Sequence, residues 1–203
     1  MSPRIIGLTG GIGMGKTTVS TYLAEQYRLP ILDADLYARE AVQSGSPVLD
    51  RIVERYGRDL LQPDNTLNRR RLGDIVFNNP TERRWLENQI HPVVREAMQR
   101  DQNRFSLLHS TIVLVIPLLF EANLTHLVTE IWVVYCSEKQ QIDRLMQREN
   151  LTLEQAQARI KSQMPIQEKC DRADIVLDNS TALNQLFAQI DRAMKSTNVY
   201  KTE

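Results

Sequence analysis

The chain has 203 residues, 42% of them hydrophobic, with 25 Lys and Arg balanced by 25 Asp and Glu. That length predicts one domain with room for insertions, and that apolar share suffices for a buried core. Zero net charge removes the basic excess from which dedicated nucleic-acid binders draw their affinity, so no nucleic-acid partner is expected.

In chain order, residues 1–12 show no long apolar leader and no cleavage site, which points to the cytoplasm. Arg4 to Thr9 predicts a buried strand, Lys16 to Tyr27 a helix, and Pro30 to Asp33 a short strand ending in Asp-Ala-Asp. Ser46-Pro47 opens a helix with proline at its first position. Asn79-Pro80 repeats the pattern, with Glu82 placed for a capping box. Thr111 to Ile116 is the most apolar strand and Pro117 stops it; the run Ile112 to Phe120 is too short to cross a membrane. Glu130 to Cys136 and Asp174 to Leu177 predict further strands, and Ser137 with Gln140 and Thr152 with Gln155 predict two more capping boxes. Leu183, Leu186, Phe187 and Ile190 form a helical core stripe, and the polar tail Ser196 to Glu203 is expected to fray. The two cysteines, Cys136 and Cys170, set no disulfide framework, and the glycosylation-type triplets at Asn123, Asn150 and Asn179 are chance matches.

Alternating strands and helices predict a parallel α/β sheet. Two stretches break the alternation. The helical pattern over residues 34–110 far exceeds the roughly 10–12 residues an ordinary crossover needs, so an inserted helical subdomain holding a second substrate is expected. The polar, arginine-bearing stretch Glu138 to Asp171 reads as a mobile cover.

Gly10-Gly11-Ile12-Gly13-Met14-Gly15-Lys16-Thr17 satisfies G-x-x-x-x-G-K-[ST] between a predicted strand and a predicted helix. Glycines there let successive backbone N–H groups turn inward around the oxygens of a di- or triphosphate. The positive end of the following helix adds to this. Lys16 reaches the β- and γ-phosphates, and Thr17 offers a hydroxyl ligand to Mg²⁺. A guanine-reading N-K-x-D and a D-x-x-G occur nowhere in the chain, and the strand before Pro117 ends in Ile116 where a motor-type ATPase carries an acid. A small-molecule phosphotransferase fits better. Asp33 and Asp35 close the second strand, and ligands of open α/β sheets bind beyond such carboxyl ends. One of them can orient and deprotonate an acceptor hydroxyl while the other holds Mg²⁺ through water; the bland alternative for either is a helix N-cap.

At this point the motifs resemble the dephospho-coenzyme A kinase family, over Arg4 to Met194. IGLTGGIGMGKTTV resembles its phosphate loop, LDADLYARE its acidic motif and QIHPVVR its His-Pro-x-x-Arg segment. IPLLFE resembles its Pro-Leu-Leu-Phe-Glu, and RENLTLEQAQARIKSQMP with KCDRADIVLDN resemble its cover helix and final strand. The resemblance implies phosphorylation of the ribose 3′-hydroxyl of dephospho-CoA by ATP with Mg²⁺, the last step of CoA biosynthesis. It implies an α/β P-loop NTPase fold, three layers around a parallel five-stranded sheet, with core 1–33, 104–137 and 172–196. A helical CoA-binding insertion over 34–103 and a lid over 138–171 complete it. Asp33, Lys16 and Arg144 are implied as catalytic. Gly11, Ile12, Gly13, Met14, Gly15, Lys16, Thr17 and Thr18 fall in the ATP site, with Arg148 in the lid and Asn179 beside the adenine. Thr9, Asp35, Arg39, His91, Arg95, Leu118 and Glu121 fall on the acceptor side. A monomer or weak homo-oligomer is expected.

Other residues stay open or bland at this level. Arg144 and Arg148, four apart, share a helix face. His91 precedes Pro92, which disfavours helix, so it serves either a ligand or a helix cap. Phe120 lines the acceptor cleft or the core. Trp85 and Trp132 read as packing, His109 and His126 carry no assigned role, and Arg69 to Arg71 read as a solvated patch. Asn68 stands where the family often has Asp, and Ser180-Thr181 replaces its usual glycine-bearing turn.

Overall fold

A computed structural model describes residues 3–77 and 79–196; all but the first residue of the predicted frayed tail lies outside them. The apolar start forms β1 (Arg4–Gly10), followed by α1 (Lys16–Tyr27), β2 (Ile31–Asp33) and α2 (Ala34–Glu40). Then come α3 (Pro47–Tyr56), a 3-10 turn at Arg58–Leu60, α4 (Arg69–Phe77) and the long α5 (Pro80–Ser106). The chain continues through β3 (Thr111–Val115), a 3-10 turn at Thr125–Leu127, β4 (Glu130–Tyr135), α6 (Glu138–Glu149), α7 (Leu153–Lys161), α8 (Ile166–Asp171), β5 (Ile175–Asp178) and α9 (Leu183–Lys195).

The five strands lie in the order β2-β3-β1-β4-β5, with β1 parallel to both β3 and β4, and β4 parallel to β5. Leu8 stands level with Val115 on one side and Trp132 on the other. Strand alternation explains the core. Ile6, Leu8, Val113, Val115, Trp132, Val134 and Leu177 share one face and pack with Val19 and Leu23 of α1 and Leu186, Ile190 and Ala193 of α9. Ile112, Leu114 and Val133, which point the other way, are also buried; a parallel sheet is covered on both faces, so its strands read as continuous apolar runs. Because β2 and β3 flank β1 on one side and β4 and β5 on the other, the chain reverses direction at β1, and such a reversal opens a crevice at the carboxyl ends of the strands.

The chain divides into two compact units, residues 1–32 with 105–203, and residues 33–104. The second has its own core: Val48, Leu49 and Ile52 of α3 at helical spacing, with Val42, Leu60, Leu67 and Leu72, against Tyr56, Trp85 and Ile90. Ser46 caps α3 by accepting the Leu49 amide at 3.1 Å, with Pro47 at the first position. Asn68 Oδ1 accepts the Arg71 amide at the start of α4, a task that needs a carbonyl oxygen and no charge.

Three expectations are corrected. Asn79 caps α5 through the Thr81 and Glu82 amides, but the Glu82 carboxylate turns to Arg55 and Tyr56, so no capping box closes there. Leu183 is exposed, leaving Leu186 and Ile190 as the buried part of the α9 stripe. His91 is not at a helix break, because α5 runs straight through Pro92. Proline's φ suits a helix, and a long helix survives the loss of one amide donor. The predicted boxes at Ser137 and Thr152 are both present. Trp132 is core, and Phe120 is buried with Arg172 4.4 Å above its ring.

Candidate active site

The turn after β1 exists because side chains cannot fit there. Gly10 has φ 145°, and a Cβ on it would lie 2.3 Å from the Val134 carbonyl oxygen of β4. Gly15 has φ 98° as the left-handed N-cap of α1, and a Cβ there would lie 2.1 Å from Asn179 Nδ2. No side chain caps α1. Its first-turn amides and the positive end of its dipole are therefore presented by backbone alone, the arrangement that suits an oxyanion. Lys16 Nζ donates to the Gly10 and Gly11 carbonyls, each at 3.0 Å, folding the ammonium over the turn. Phosphate oxygens are stronger acceptors than those carbonyls and would compete for it.

Side chains from distant segments clamp this turn. Gln141 of α6, almost fully buried, donates to the Ile12 carbonyl at 2.8 Å. Gln163, between α7 and α8, accepts the Ile12 amide at 2.9 Å. Asn179, beyond β5, donates through Nδ2 to the Met14 carbonyl at 2.9 Å. Arg144 is half-buried and donates through Nη2 to the Asn179 carbonyl at 3.2 Å. Asn179 is thus a clasp on the turn, and Met14, whose side chain is buried, offers only backbone to a ligand. Arg148, on the same helix as Arg144, is exposed and pairs with Glu149, which also pairs with Arg159. Thr17 and Thr18 lie in the first turn of α1, Thr17 exposed.

Just beside the turn, Thr9 is completely buried and donates its hydroxyl to the Pro117 carbonyl at 3.1 Å, so its part in any ligand site is indirect. Leu118, next along, is exposed. Glu121 follows, its Oε1 accepting from Lys169 Nζ at 2.8 Å and from the Met164 amide at 3.0 Å. Burial pushes the Glu121 carboxyl up, but the Lys169 ammonium and the Met164 amide pull it down and prevail, so it lies below the usual carboxylate value. Burial raises both thiols, Cys136 and Cys170, which are not bonded to each other; neither has the thiolate character of a nucleophile.

The unit formed by residues 33–104 holds the other expected residues. Asp33 ends β2 and caps α2, its Oδ1 accepting the Asp35 amide at 2.9 Å. Asp35 and Arg39 are exposed on α2, and the Arg39 carbonyl accepts from Arg69 at 3.0 Å. His91 and Arg95 are exposed four residues apart on α5, hence on one face.

Among the described residues no group of three or more His, Cys, Asp or Glu is placed to cage a metal. Mg²⁺ does not require one, since it is commonly held by one or two hard oxygen ligands, substrate phosphates and water. The Thr17 hydroxyl and the carboxylates of Asp33 and Asp35 are oxygen donors of that kind. No helix among the described residues is long and apolar enough to cross a membrane.

Sequence reasoning missed Gln141, Gln163 and Lys169. Gln141 and Lys169 sit in ordinary polar helical stretches, and their only signal was inclusion in, or closeness to, segments quoted for the family resemblance.

A family model for dephospho-CoA kinase (CoaE) matches residues 4–185. A dephospho-CoA kinase of Trichormus variabilis is 57% identical over 197 residues, covering 96% of this chain and 98% of that protein. A solved structure of dephospho-CoA kinase from Campylobacter jejuni superimposes with a TM-score of 0.67 at 28% identity, covering 94% of this chain and 95% of the other. Shikimate kinase from Acinetobacter baumannii shares the fold, with a TM-score of 0.56 at 19% identity over 97% and 96% of the two chains. The fold is an α/β P-loop kinase fold, and with the family match spanning nearly every element around the turn, this chain belongs to the dephospho-CoA kinase family.

Proposed function

We propose that this protein transfers the γ-phosphoryl group of ATP, in line, to the ribose 3′-hydroxyl of dephospho-CoA, giving CoA and ADP. The observation that carries this reading is the amide-lined turn at residues 10–17, uncapped by any side chain and opening at the chain reversal of the sheet, in a chain of this family.

The amides of Gly11 to Thr18 and Lys16 hold the donor's β- and γ-phosphates. Thr17, with Asp33 or Asp35 through water, would hold Mg²⁺, whose charge would neutralise that of the phosphates. The bond from the Asp35 amide to Asp33 Oδ1 fixes the carboxylate at the strand end and leaves its other oxygen outside the cap. That oxygen orients the acceptor hydroxyl and takes its proton as the new O–P bond forms, while the bond to the β-γ bridging oxygen breaks and ADP leaves with the electron pair. Arg144 leans from its place beside Asn179 onto the spreading negative charge, a strong stabilisation in phosphoryl transfer, and Arg148 meets the donor from the same helix. Residues 138–171 act as a lid that excludes water and limits ATP hydrolysis. Arg39, His91 and Arg95 of the insertion at 34–103, and separately Leu118 and Glu121 after β3, are the residues assigned to dephospho-CoA. The reaction is cytoplasmic, carried out by a monomer or weak homo-oligomer.

Purified protein mixed with ATP, Mg²⁺ and dephospho-CoA is expected to form CoA and ADP in equal amounts; no CoA would refute the acceptor. A rival reading, a nucleoside or nucleotide kinase on the same core, predicts faster turnover with AMP or nucleosides. Asp33→Asn is expected to bind ATP normally and lose turnover by about 10²–10⁴-fold. Near wild-type turnover would remove Asp33 as the base.

A further inference from the structure

Behind the strand ends lies a lysine that the mechanism above does not use. Lys169 of α8 is fully buried, which lysines almost never are unless paired. Its ammonium reaches Glu121 Oε1 at 2.8 Å and the Pro117 carbonyl at 3.3 Å. The same Pro117 carbonyl takes the Thr9 hydroxyl, one residue before the phosphate turn. The Met164 amide also donates to Glu121 Oε1. One carboxylate oxygen therefore has two donors. The other, Oε2, is buried and has no hydrogen-bond partner among the described residues. A buried acceptor without a donor is costly, and this one stands where ligands of such sheets bind.

We infer that Lys169 is a positioning residue of the acceptor site, fixing the Glu121 carboxylate so that Oε2 accepts a hydrogen bond from a hydroxyl or amine hydrogen of the nucleoside part of the acceptor. The inference rests on the phosphotransfer reading above and adds to it the residue that aims Glu121. An ionised oxygen only accepts, so it selects the neutral sugar and base and repels the anionic tail. Through the shared Pro117 carbonyl, the anchor of that carboxylate is tied to Thr9, which keeps the acceptor contact in register with the turn that holds the donor phosphates.

The test measures KM for dephospho-CoA and for ATP separately, with thermal unfolding alongside, in wild type, Lys169→Met, Glu121→Gln and the double variant. Loss of a hydrogen bond to a charged group is worth roughly tenfold or more. Lys169→Met and Glu121→Gln are each expected to raise the dephospho-CoA KM by about that factor while the ATP KM stays within about twofold. The double variant is expected to match Glu121→Gln, because Lys169 acts only through that carboxylate. A Lys169→Met protein that melts earlier but keeps its dephospho-CoA KM would make the pair merely structural and overturn the inference. If Lys169→Met does not fold, the double variant, which leaves no unpaired buried charge, decides: a dephospho-CoA KM well above that of Glu121→Gln would overturn it. Wild-type conversion of dephospho-CoA to CoA is the control. Its absence refutes the assigned acceptor, whereas its presence with unmoved KM values refutes only the role of Lys169.

Discussion

Two cation–carboxylate pairs, each with one buried partner, stand at opposite ends of one sheet. At the amino ends of the strands, Arg4 at the start of β1 meets Glu130 at the start of β4, Nε to Oε1 at 2.7 Å. The same oxygen accepts Trp132 Nε1 at 3.1 Å, and the guanidinium also donates to the Ala193 and Met194 carbonyls at the end of α9. At the carboxyl ends, Lys169 is more deeply buried than Arg4 and meets Glu121, yet one carboxylate oxygen has no donor among the described residues. Arginine's planar fork ties strand, strand and helix together, whereas lysine's point charge fixes one oxygen and leaves the other for something else. The lower end is finished as structure; the upper end keeps an acceptor that the proposed ligand contact would complete.

The sharpest way to break this contrast is at Lys16. Lys16→Ala is expected to lower turnover by about 10²–10³-fold with little change in Tm, measured by CoA formation and thermal unfolding. A large fall in Tm would erase the distinction between the ends. Arg4→Met is the opposite case. It removes the Arg4 guanidinium from the buried Glu130 carboxylate, and breaking such a pair costs up to about 3–5 kcal/mol in denaturant unfolding, while turnover per folded molecule stays near wild type. A smaller effect is expected at Gln163→Ala, which frees the Ile12 amide and loosens the turn. One hydrogen bond is worth roughly 2–10-fold, read as a raised KM for ATP. A lowered KM would mean that Gln163 competes with phosphate for that amide.

The mildest test uses a partly exposed pair in the helical unit. Glu82 accepts from Arg55 at 2.7 and 2.9 Å and from Tyr56 at 2.5 Å. Arg55, then Tyr56, pull the Glu82 carboxyl down to about 2. A carboxylate whose pKa falls on folding stabilises the fold above its unfolded value, about 4.3, and that contribution fades as pH falls through about 2. The difference in Tm between wild type and Glu82→Gln should therefore be constant above pH 5 and shrink as pH falls below 4. A difference that does not change with pH would show that the pair contributes nothing through charge.

What was legible in the residues was whatever local chemistry dictates. The glycine spacing, Lys16 and the apolar strands were readable because turn geometry and alternation leave direct marks. The caps at Ser46, Ser137 and Thr152 were readable for the same reason. Glu82 escaped the box because a cation on another helix outbids a local amide. His91 was misplaced because the preference of a residue before proline is a tendency that a long helix overrides. Asn179 carried a motif signal, but its grip on Met14 depends on where β5 delivers it. Gln141, Gln163 and Lys169 bore no mark of their own beyond lying in, or close to, segments that resemble the family's. Their contacts come from packing that brings α6, α8 and the α7–α8 connection onto the strand ends, and such proximity has no period in the sequence.

The central claim is that the carboxyl end of the sheet moves a phosphoryl group onto a sugar hydroxyl. Phosphorus NMR of a mixture of protein, ATP, Mg²⁺ and dephospho-CoA reads that transfer atom by atom. The account predicts ADP together with one new 3′-phosphomonoester resonance of equal intensity. ADP accompanied only by inorganic phosphate, or a phosphomonoester at another position of the acceptor, would contradict it.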